Sequence, residues 1–373
     1  MRTVLPALAA LALCAAPLAA PSCPSHGSES QSQTPATSAT ANLGTVTATP
    51  PPTAAQGLQI DPKIPSYGPA VSGVSGNVKS IGSETMNNLM ALWSEGFKRL
   101  YPSVQVEIEA KGSSGAPPAL IEGASTFGPM SREMKQQEVD NFEKKFGYKP
   151  TGLPTSLDAL AVYVHKDNPL REISLQQVDA IFSKTRKGGL DKDIVTWGEL
   201  GLTGEWANRP ISLYGRNSAS GTYGYFKDHA LFGGDYKDSV KEQQGSAAVV
   251  SGVAHDKYGI GYSGLGAMTV DVRAVALKPD ASSPAVEANA QNAYSGDYPL
   301  ARLLYIYVNY KPGTQLDPLR REFIRYVFSK EGQSDVVKDG YFPITEQVVA
   351  EALKSVGIAA SAKPVEAGSG KSK

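Results

Sequence analysis

The sequence is poor in cysteine and histidine, and neither sign of charge dominates. Only Cys14 and Cys23 are cysteines among 373 residues, so the chain after Cys23 cannot form an internal disulfide even in an oxidising compartment. The four histidines do not fall at metal-ligand spacing, which argues against a zinc or iron site. The 36 basic and 36 acidic residues cancel, which argues against nucleic acid or a membrane surface as a general partner.

The N-terminus has the pattern of an export signal. Arg2 precedes an apolar, Ala- and Leu-rich stretch (residues 4–20) that is too short and too interrupted by proline for a membrane span. Residues 1–22 are therefore predicted to be a signal segment. Cys23 follows small residues and is a candidate lipid-attachment site, although the large aliphatic residue usual three positions earlier is missing. Ordinary cleavage near the same place is the alternative.

Two terminal segments lack the composition of a folded domain. Residues 23–70 are rich in Ser, Thr, Ala and Pro with few bulky apolar groups, and residues 360–373 are similarly polar. Such segments cannot bury enough surface to offset the entropy of ordering. We expect a disordered tether, a disordered tail and two lobes between them.

The folded part begins with two similar strand–turn–helix patterns. Residues 78–82 read as a strand, and Ser83 or Thr85 would cap the helix that follows. Residues 104–108 alternate as a second strand before the turn that contains Ser113. A third turn, residues 126–132, places a hydroxyl next to a guanidinium. Ligands of open α/β sheets bind beyond the carboxyl ends of strands, so these turns are candidate binding elements.

A fourth turn, residues 214–226, has the most specific pattern in the chain. Ser220 is a plausible N-cap, which would leave the N–H groups of Gly221, Thr222 and Tyr223 facing outward. A helix N-terminus of this kind favours anions, and Arg216 could add a bidentate contact. The alternative is a Ser/Gly-rich surface loop with a solvated arginine.

Six blocks in this order resemble the phosphate-binding proteins of bacterial ABC importers. They are IGSETMNNL, KGSSGAPPAL, FGPMSREM, GRNSASGTYGYFKDHAL, YGIGYSG and SKEGQ…GYFPIT. The resemblance covers about residues 71–350. It implies an α/β, two-lobed class II periplasmic-binding-protein fold with the ligand cleft between the lobes. Residues 71–159 and 268–359 would form the first lobe and residues 160–267 the second. The two crossover hinge segments would lie near residues 160–164 and 261–264, although Gly259 and Gly261 could equally mark tight strand packing.

The resemblance also implies which residues bind phosphate. In the second lobe, Arg216, Ser220, Gly221 and Thr222 match the family's phosphate-binding block. In the first lobe the matching positions lie in the three turns and are Ser83, Glu84, Thr85, Ser113, Ser114, Ser131 and Arg132. The family implies no catalytic residue, no metal and no cofactor. It implies inorganic phosphate and a membrane permease as partners, and a monomer that is periplasmic or exported.

Two positions depart from the pattern. An acidic residue is common in the family at the position of Thr126 and is absent here, and Arg132 is the second departure. Many members have an Asp at the position of Arg132, and this Asp accepts the proton of monohydrogen phosphate. A recognised branch of the family has Arg there instead, as this chain does. Sulfate carries no such proton. A buried donor without a partner costs about 1–3 kcal/mol, so an acceptor for the phosphate proton affects the selectivity between phosphate and sulfate. The acceptor could be Glu84, a hydroxyl or a backbone carbonyl, and our hypothesis is Glu84. Alternatively, Glu84 only stabilises the positive end of the helix dipole.

Two other functions remain compatible with the residues. One is a binding protein for another oxyanion, such as sulfate or molybdate. The other is a secreted phosphatase, which is disfavoured because no sequence cue places a histidine base next to Ser220 and no metal cluster is evident. A secreted adhesive role, which would suit the long tether, would be additional to the ligand site.

Overall fold

The computed structural model describes residues 58–359 of the chain. The predicted signal segment, lipid-attachment Cys23, most of the tether and the tail lie outside the described residues. The described strands are β1 (Gly76–Gly82), β2 (Val104–Ala110), β3 (Gly128–Met130), β4 (Thr151–His165), β5 (Glu172–Ser174), β6 (Ser212–Arg216), β7 (Lys241–Gln243), β8 (Gly259–Gly264), β9 (Val272–Ala274), β10 (Ala276–Lys278) and β11 (Ala301–Val308). The described helices are α1 (Asn87–Leu100), α2 (Ala116–Ile121), α3 (Gln136–Phe146), α4 (Leu175–Phe182), α5 (Gly221–His229), α6 (Ser246–Ala254), α7 (Ala290–Ser295), α8 (Pro318–Val327), α9 (Lys330–Lys338) and α10 (Glu346–Ser355).

The long strand β4 runs through both lobes. Its first part, residues 151–159, pairs with β11, and its second part, residues 160–164, pairs with β8, antiparallel in both cases. The resulting sheet has the order β3-β11-β4-β8-β6-β7, with β9 also on β4, while β1 and β2 form a separate parallel pair. The two predicted crossover segments therefore lie side by side, since Leu160 pairs with Gly264.

Each lobe has its own hydrophobic core. The first core contains Trp93, Phe97 and Phe323, and the second contains Trp197, Phe226 and Tyr262. These aromatic side chains are almost fully buried, and each buried side chain of this size contributes roughly 1.5–3 kcal/mol by leaving water.

The second core extends further along the chain than the predicted lobe boundary at residues 267/268. Val272, Val275 and Leu277 are buried in the second core, as are Tyr298 and Leu300. The reason is that β9 pairs with β4 and β10 pairs with β5, which keeps this stretch on the second lobe. The chain returns to the first core only within β11. Residues 268–300, predicted to belong to the first lobe, pack instead with the second.

The end of the predicted tether is ordered, which corrects the expected start of structure near residue 71. Ile64 is 1% exposed in the first core. The Tyr67 hydroxyl donates to the Glu322 carboxylate at 2.8 Å, and the Arg325 guanidinium lies 5.7 Å from the centre of the Tyr67 ring. A few apolar and aromatic side chains thus anchor residues 58–70 although the composition around them is that of a linker.

The β1, β2, β3 and β6 strands bring the four predicted turns together. The first two turns follow the carboxyl ends of β1 and β2, and the start of α5 follows β6. Residues 126–132, predicted as a turn, instead contain β3, so Ser131 and Arg132 follow the carboxyl end of that strand. The hydrogen bond from Ser83 N–H to the Pro129 carbonyl (2.7 Å) ties the first turn to β3. The expected cap of α1 by Ser83 or Thr85 is not formed. Met86 is the N-cap and makes no side-chain cap bond, so both hydroxyls are left for other partners.

Candidate functional site

The second-lobe half of the site is the end of β6 and the start of α5. Ser220 caps α5 as predicted, because its hydroxyl accepts from Thr222 N–H at 3.1 Å. Of the three N–H groups expected to face outward, those of Gly221 and Tyr223 have no acceptor within the described residues, whereas that of Thr222 is used by the cap. The N-terminus of α5 therefore retains two free donors and the positive end of the helix dipole.

The Arg216 side chain lies next to this helix start and is 1% exposed. Its Nη1 donates to the hydroxyls of Thr85 and Ser246, both at 3.2 Å, and its Nη2 donates to the Glu84 carboxylate at 2.5 Å. Its Nε is buried with no partner among residues 58–359. Of five N–H donors, three are used by these contacts, so part of the guanidinium edge stays available for an anion.

Burial lowers the pKa of the Arg216 guanidinium from its usual value, Arg302 lowers it further, and Glu84 opposes the shift. The guanidinium nevertheless stays charged at neutral pH, because an arginine starts from a pKa of about 12.5 or more. The solvated-loop interpretation of this turn is therefore wrong, since the arginine is enclosed.

The first-lobe half of the site consists of hydroxyl groups from three turns. Ser83, Thr85, Ser113 and Ser131 are all nearly or fully buried. The Ser113 hydroxyl accepts from Ser131 N–H at 3.0 Å, while the buried Ser83 hydroxyl has no partner within the described part of the chain.

The two halves meet directly. The Thr85 and Thr222 hydroxyls lie 3.0 Å apart, and Ser114 N–H donates to the Ala219 carbonyl at 3.1 Å. A Cβ at Gly221 would stand 2.3 Å from the Ser113 Oγ and 2.7 Å from the Ser131 Oγ. The start of α5 thus packs against the first-lobe serines with room for hydrogen alone, which explains why glycine stands there.

Arg132 is close to the site but its guanidinium is held by another carboxylate. It forms a two-point contact with Glu138 at 2.7 and 2.8 Å, and its Nη2 also donates to the Ser114 hydroxyl at 3.3 Å. The geometry therefore gives Arg132 the role of joining the turn that contains Ser114 to the segment that contains Ser131. A direct contact with the ligand stays a prediction.

Glu84 reaches across from the first lobe to the second. One carboxylate oxygen accepts from Arg216, and the other accepts from the Asn217 side-chain amide at 3.3 Å. Its side chain is 6% exposed. Glu84 is therefore more than a charge at the start of α1, because it pairs with the central cation of the site.

Sequence reasoning missed one buried ion pair beside the site, Arg302 with Asp158. Both side chains are at most 2% exposed, and the Arg302 Nη2 lies 2.8 Å from the Asp158 carboxylate. Both residues stand in strands of ordinary apolar character, 144 positions apart. The only signal in the sequence that could have indicated this pair is a charged residue at an inward-facing position of an otherwise apolar strand.

The described residues contain no group of three or more His, Cys, Asp or Glu arranged to hold a metal ion. Among the helices formed by these residues, none is both long and apolar enough to cross a membrane.

Known proteins of similar sequence identify the family of this chain. A family model described as "PBP superfamily domain" matches residues 47–331. The protein named phosphate-binding protein PstS of Pseudomonas aeruginosa is 55% identical over 299 residues, covering 80% of this chain and 92% of that protein. The chain belongs to the family of periplasmic phosphate-binding proteins.

Solved structures support the family's fold for this chain. A putative phosphate ABC transporter substrate-binding protein with bound phosphate from Clostridium perfringens aligns with a TM-score of 0.60 at 26% identity, covering 72% of this chain and 100% of the other. An ABC-type phosphate transport receptor from Vibrio cholerae aligns with a TM-score of 0.57 at 19% identity, with the same coverage, and supports the fold alone. The predicted class II periplasmic-binding-protein fold is confirmed.

Proposed function

We propose that this member of the phosphate-binding family captures inorganic phosphate between its lobes and delivers it to an ABC importer. The observation that carries the proposal is the buried Arg216 beside the capped start of α5. Its Nε and the N–H groups of Gly221 and Tyr223 have no acceptor within residues 58–359. Donors in such an arrangement suit a tetrahedral oxyanion.

The donor count fits the energy that binding requires. A buried dianion needs its hydration shell replaced by hydrogen-bond donors. Hydrogen bonds to charged groups contribute roughly 1.5–3 kcal/mol each. Micromolar affinity corresponds to about −8 kcal/mol. With a cost of association of at least about 4 kcal/mol, about four to eight such bonds are needed, which the arginine, N–H and hydroxyl donors of the site can supply.

Glu84 is the acceptor that we propose for the phosphate proton. It is hydrogen-bonded to Arg216, so its carboxylate lies next to the cation that would hold the anion. A carboxylate in that place repels sulfate but can accept a hydrogen bond from monohydrogen phosphate. Asp158, the other buried carboxylate nearby, accepts three hydrogen bonds, two from Arg302 and one from Leu265 N–H. Glu84 accepts two, one on each oxygen, and so keeps more acceptor capacity.

The cellular setting follows from the same proposal. The protein would act as an exported monomer, periplasmic or tethered through lipidated Cys23, and a membrane permease would be its protein partner. It would be a binding protein and not an enzyme.

Isothermal titration of the purified protein, freed of bound anion, with phosphate, sulfate and molybdate at neutral pH tests the function. We expect tight one-to-one binding of phosphate and none of sulfate. Sulfate binding as tight as phosphate binding would contradict the proposed ligand.

The Glu84→Gln variant tests the proton acceptor, with Glu138→Gln as the control because Glu138 pairs with Arg132 and not with Arg216. We expect Glu84→Gln to reduce the preference for phosphate over sulfate about tenfold or more. An unchanged preference would exclude Glu84 as the acceptor.

A further inference from the structure

Arg302 contacts three segments of the site at once. Its Nε and Nη2 donate to one oxygen of Asp158 in β4 at 3.0 and 2.8 Å. Its Nη1 donates to the Ser131 carbonyl of the first lobe at 3.0 Å, and its Nη2 donates to the Thr222 hydroxyl of the second lobe at 3.0 Å. One guanidinium therefore fixes both halves of the site relative to the strand that joins them.

The Thr222 hydroxyl belongs to a continuous chain of hydrogen bonds. Arg302 donates to Thr222, Thr222 and Thr85 share a hydrogen bond of 3.0 Å, and Arg216 donates to Thr85 at 3.2 Å. Thr222 is fully buried and Thr85 is 5% exposed. The chain thus runs from one arginine to the other across the two lobes.

The hydrogens in this chain can be counted. An arginine can only donate, so each threonine oxygen has one lone pair occupied by a guanidinium. The two hydroxyls carry two hydrogens, and only one of them can lie between the two oxygens. The described residues offer no acceptor for the other hydrogen, which must therefore point away from the two threonine oxygens and the two guanidinium groups. An unsatisfied buried donor of this kind is costly unless an anion accepts from it.

We infer that Arg302 is a positioning residue for anion binding, which acts through Thr222 and Thr85 and compels one threonine hydroxyl to donate to the bound anion. Asp158 holds the Arg302 guanidinium in the plane that reaches both Thr222 and Ser131. A lysine at this position could not reproduce the chain, because an ammonium on a flexible stem does not provide a planar fork with contacts in three directions. This inference rests on the proposed anion-binding function.

A double-mutant cycle for phosphate binding tests the inference. Titration calorimetry would compare the wild type, Arg302→Lys, Thr222→Val and the double variant. We expect each single change to weaken binding about tenfold to hundredfold. The double variant should be no weaker than the weaker single variant, because both changes break the same chain of hydrogen bonds at Thr222. Multiplication of the two losses, or Arg302→Lys within threefold of wild type, would overturn the inference.

Two further variants guard against a trivial loss of fold. Thr222→Ser keeps the hydroxyl and should bind within a few-fold of wild type, so equal affinities of Thr222→Ser and Thr222→Val would overturn the inference even if Arg302→Lys does not fold. Arg325→Lys is the matched control, because Arg325 also pairs with a buried carboxylate, Glu322 at 2.7 Å, and should leave binding unchanged. If the wild type binds none of the three anions, both proposals are contradicted. If the wild type binds phosphate and the Arg302 and Thr222 variants bind it equally well, only the positioning role of Arg302 is contradicted.

Discussion

The substitution Gly221→Ala examines whether the two lobes must meet closely for binding. The added methyl would lie 2.3 Å from the Ser113 Oγ, 2.7 Å from the Ser131 Oγ and 2.8 Å from the Ser113 Cβ. Rotation of the Ser113 hydroxyl would relieve only the first contact and would break its bond to Ser131 N–H. The Cβ contact then requires the segments to separate by about 0.6 Å to reach the 3.4 Å at which ordinary contact begins.

A separation of this size is costly for binding but not for folding. Hydrogen bonds are optimal over a few tenths of an ångström, so donors from the two lobes could no longer reach the same anion together. The loss of two bonds to a charged ligand, at about 1.5–3 kcal/mol each, corresponds to roughly a hundredfold weaker binding or more. Alanine favours a helix over glycine by up to about 1 kcal/mol, so the stability of the second lobe should not fall.

Titration calorimetry and thermal denaturation of Gly221→Ala measure the two quantities separately. Gly224→Ala is the matched control in the same helix, since its Cβ would meet only the Arg132 side chain at an ordinary 3.6 Å. If Gly221→Ala bound phosphate with an affinity within threefold of that of Gly224→Ala, this would refute the argument that the two lobes must touch each other to bind the anion.

Three further predictions follow from burial and charge. Arg216→Lys should weaken phosphate binding at least tenfold in calorimetry, because a point charge cannot replace the planar fork. Ile64→Ala should lower the free energy of unfolding in urea by about 2–5 kcal/mol, whereas Val270→Ala, 58% exposed, should change it by less than about 0.5 kcal/mol. Burial, together with Asp158, raises the pKa of Asp339 to about 6, so the stabilising protonated form is lost as pH rises through 6. Asp339→Asn should therefore raise the thermal midpoint more at pH 7.5 than at pH 5, and an equal rise at both would contradict this.

The local part of the site could be predicted from the sequence because neighbouring residues determine it. The Ser220 cap depends only on the start of α5, and the turn that contains Ser113 follows β2, a strand with visible alternation. The position of Arg216 next to the capped helix also follows from short spacing along the chain.

The long-range part could not be predicted for the opposite reason. Arg302 lies in β11 at a position where an outward arginine would look the same, and its partner Asp158 is 144 residues away. Likewise, Ile64 is one apolar residue in a polar segment, and its burial depends on helices at the other end of the chain. The pairing of β9 with β4, which moves the lobe boundary, depends on β9, a strand of three residues that has no distinctive pattern.

The charges of the site explain why its hydroxyls and N–H groups matter more than its net charge. Arg216 pairs with Glu84, Arg132 with Glu138, and Arg302 with Asp158, so each guanidinium beside the cleft has its own carboxylate. A site with three cations and three anions has little long-range attraction for a dianion, and salt would have little attraction to screen. Recognition must then come from directed donors at short range, namely the start of α5, the free edge of Arg216 and the threonine hydroxyls. Such donors hold any tetrahedral oxyanion alike, so the preference for phosphate over sulfate must come from an acceptor for the phosphate proton, for which we propose Glu84.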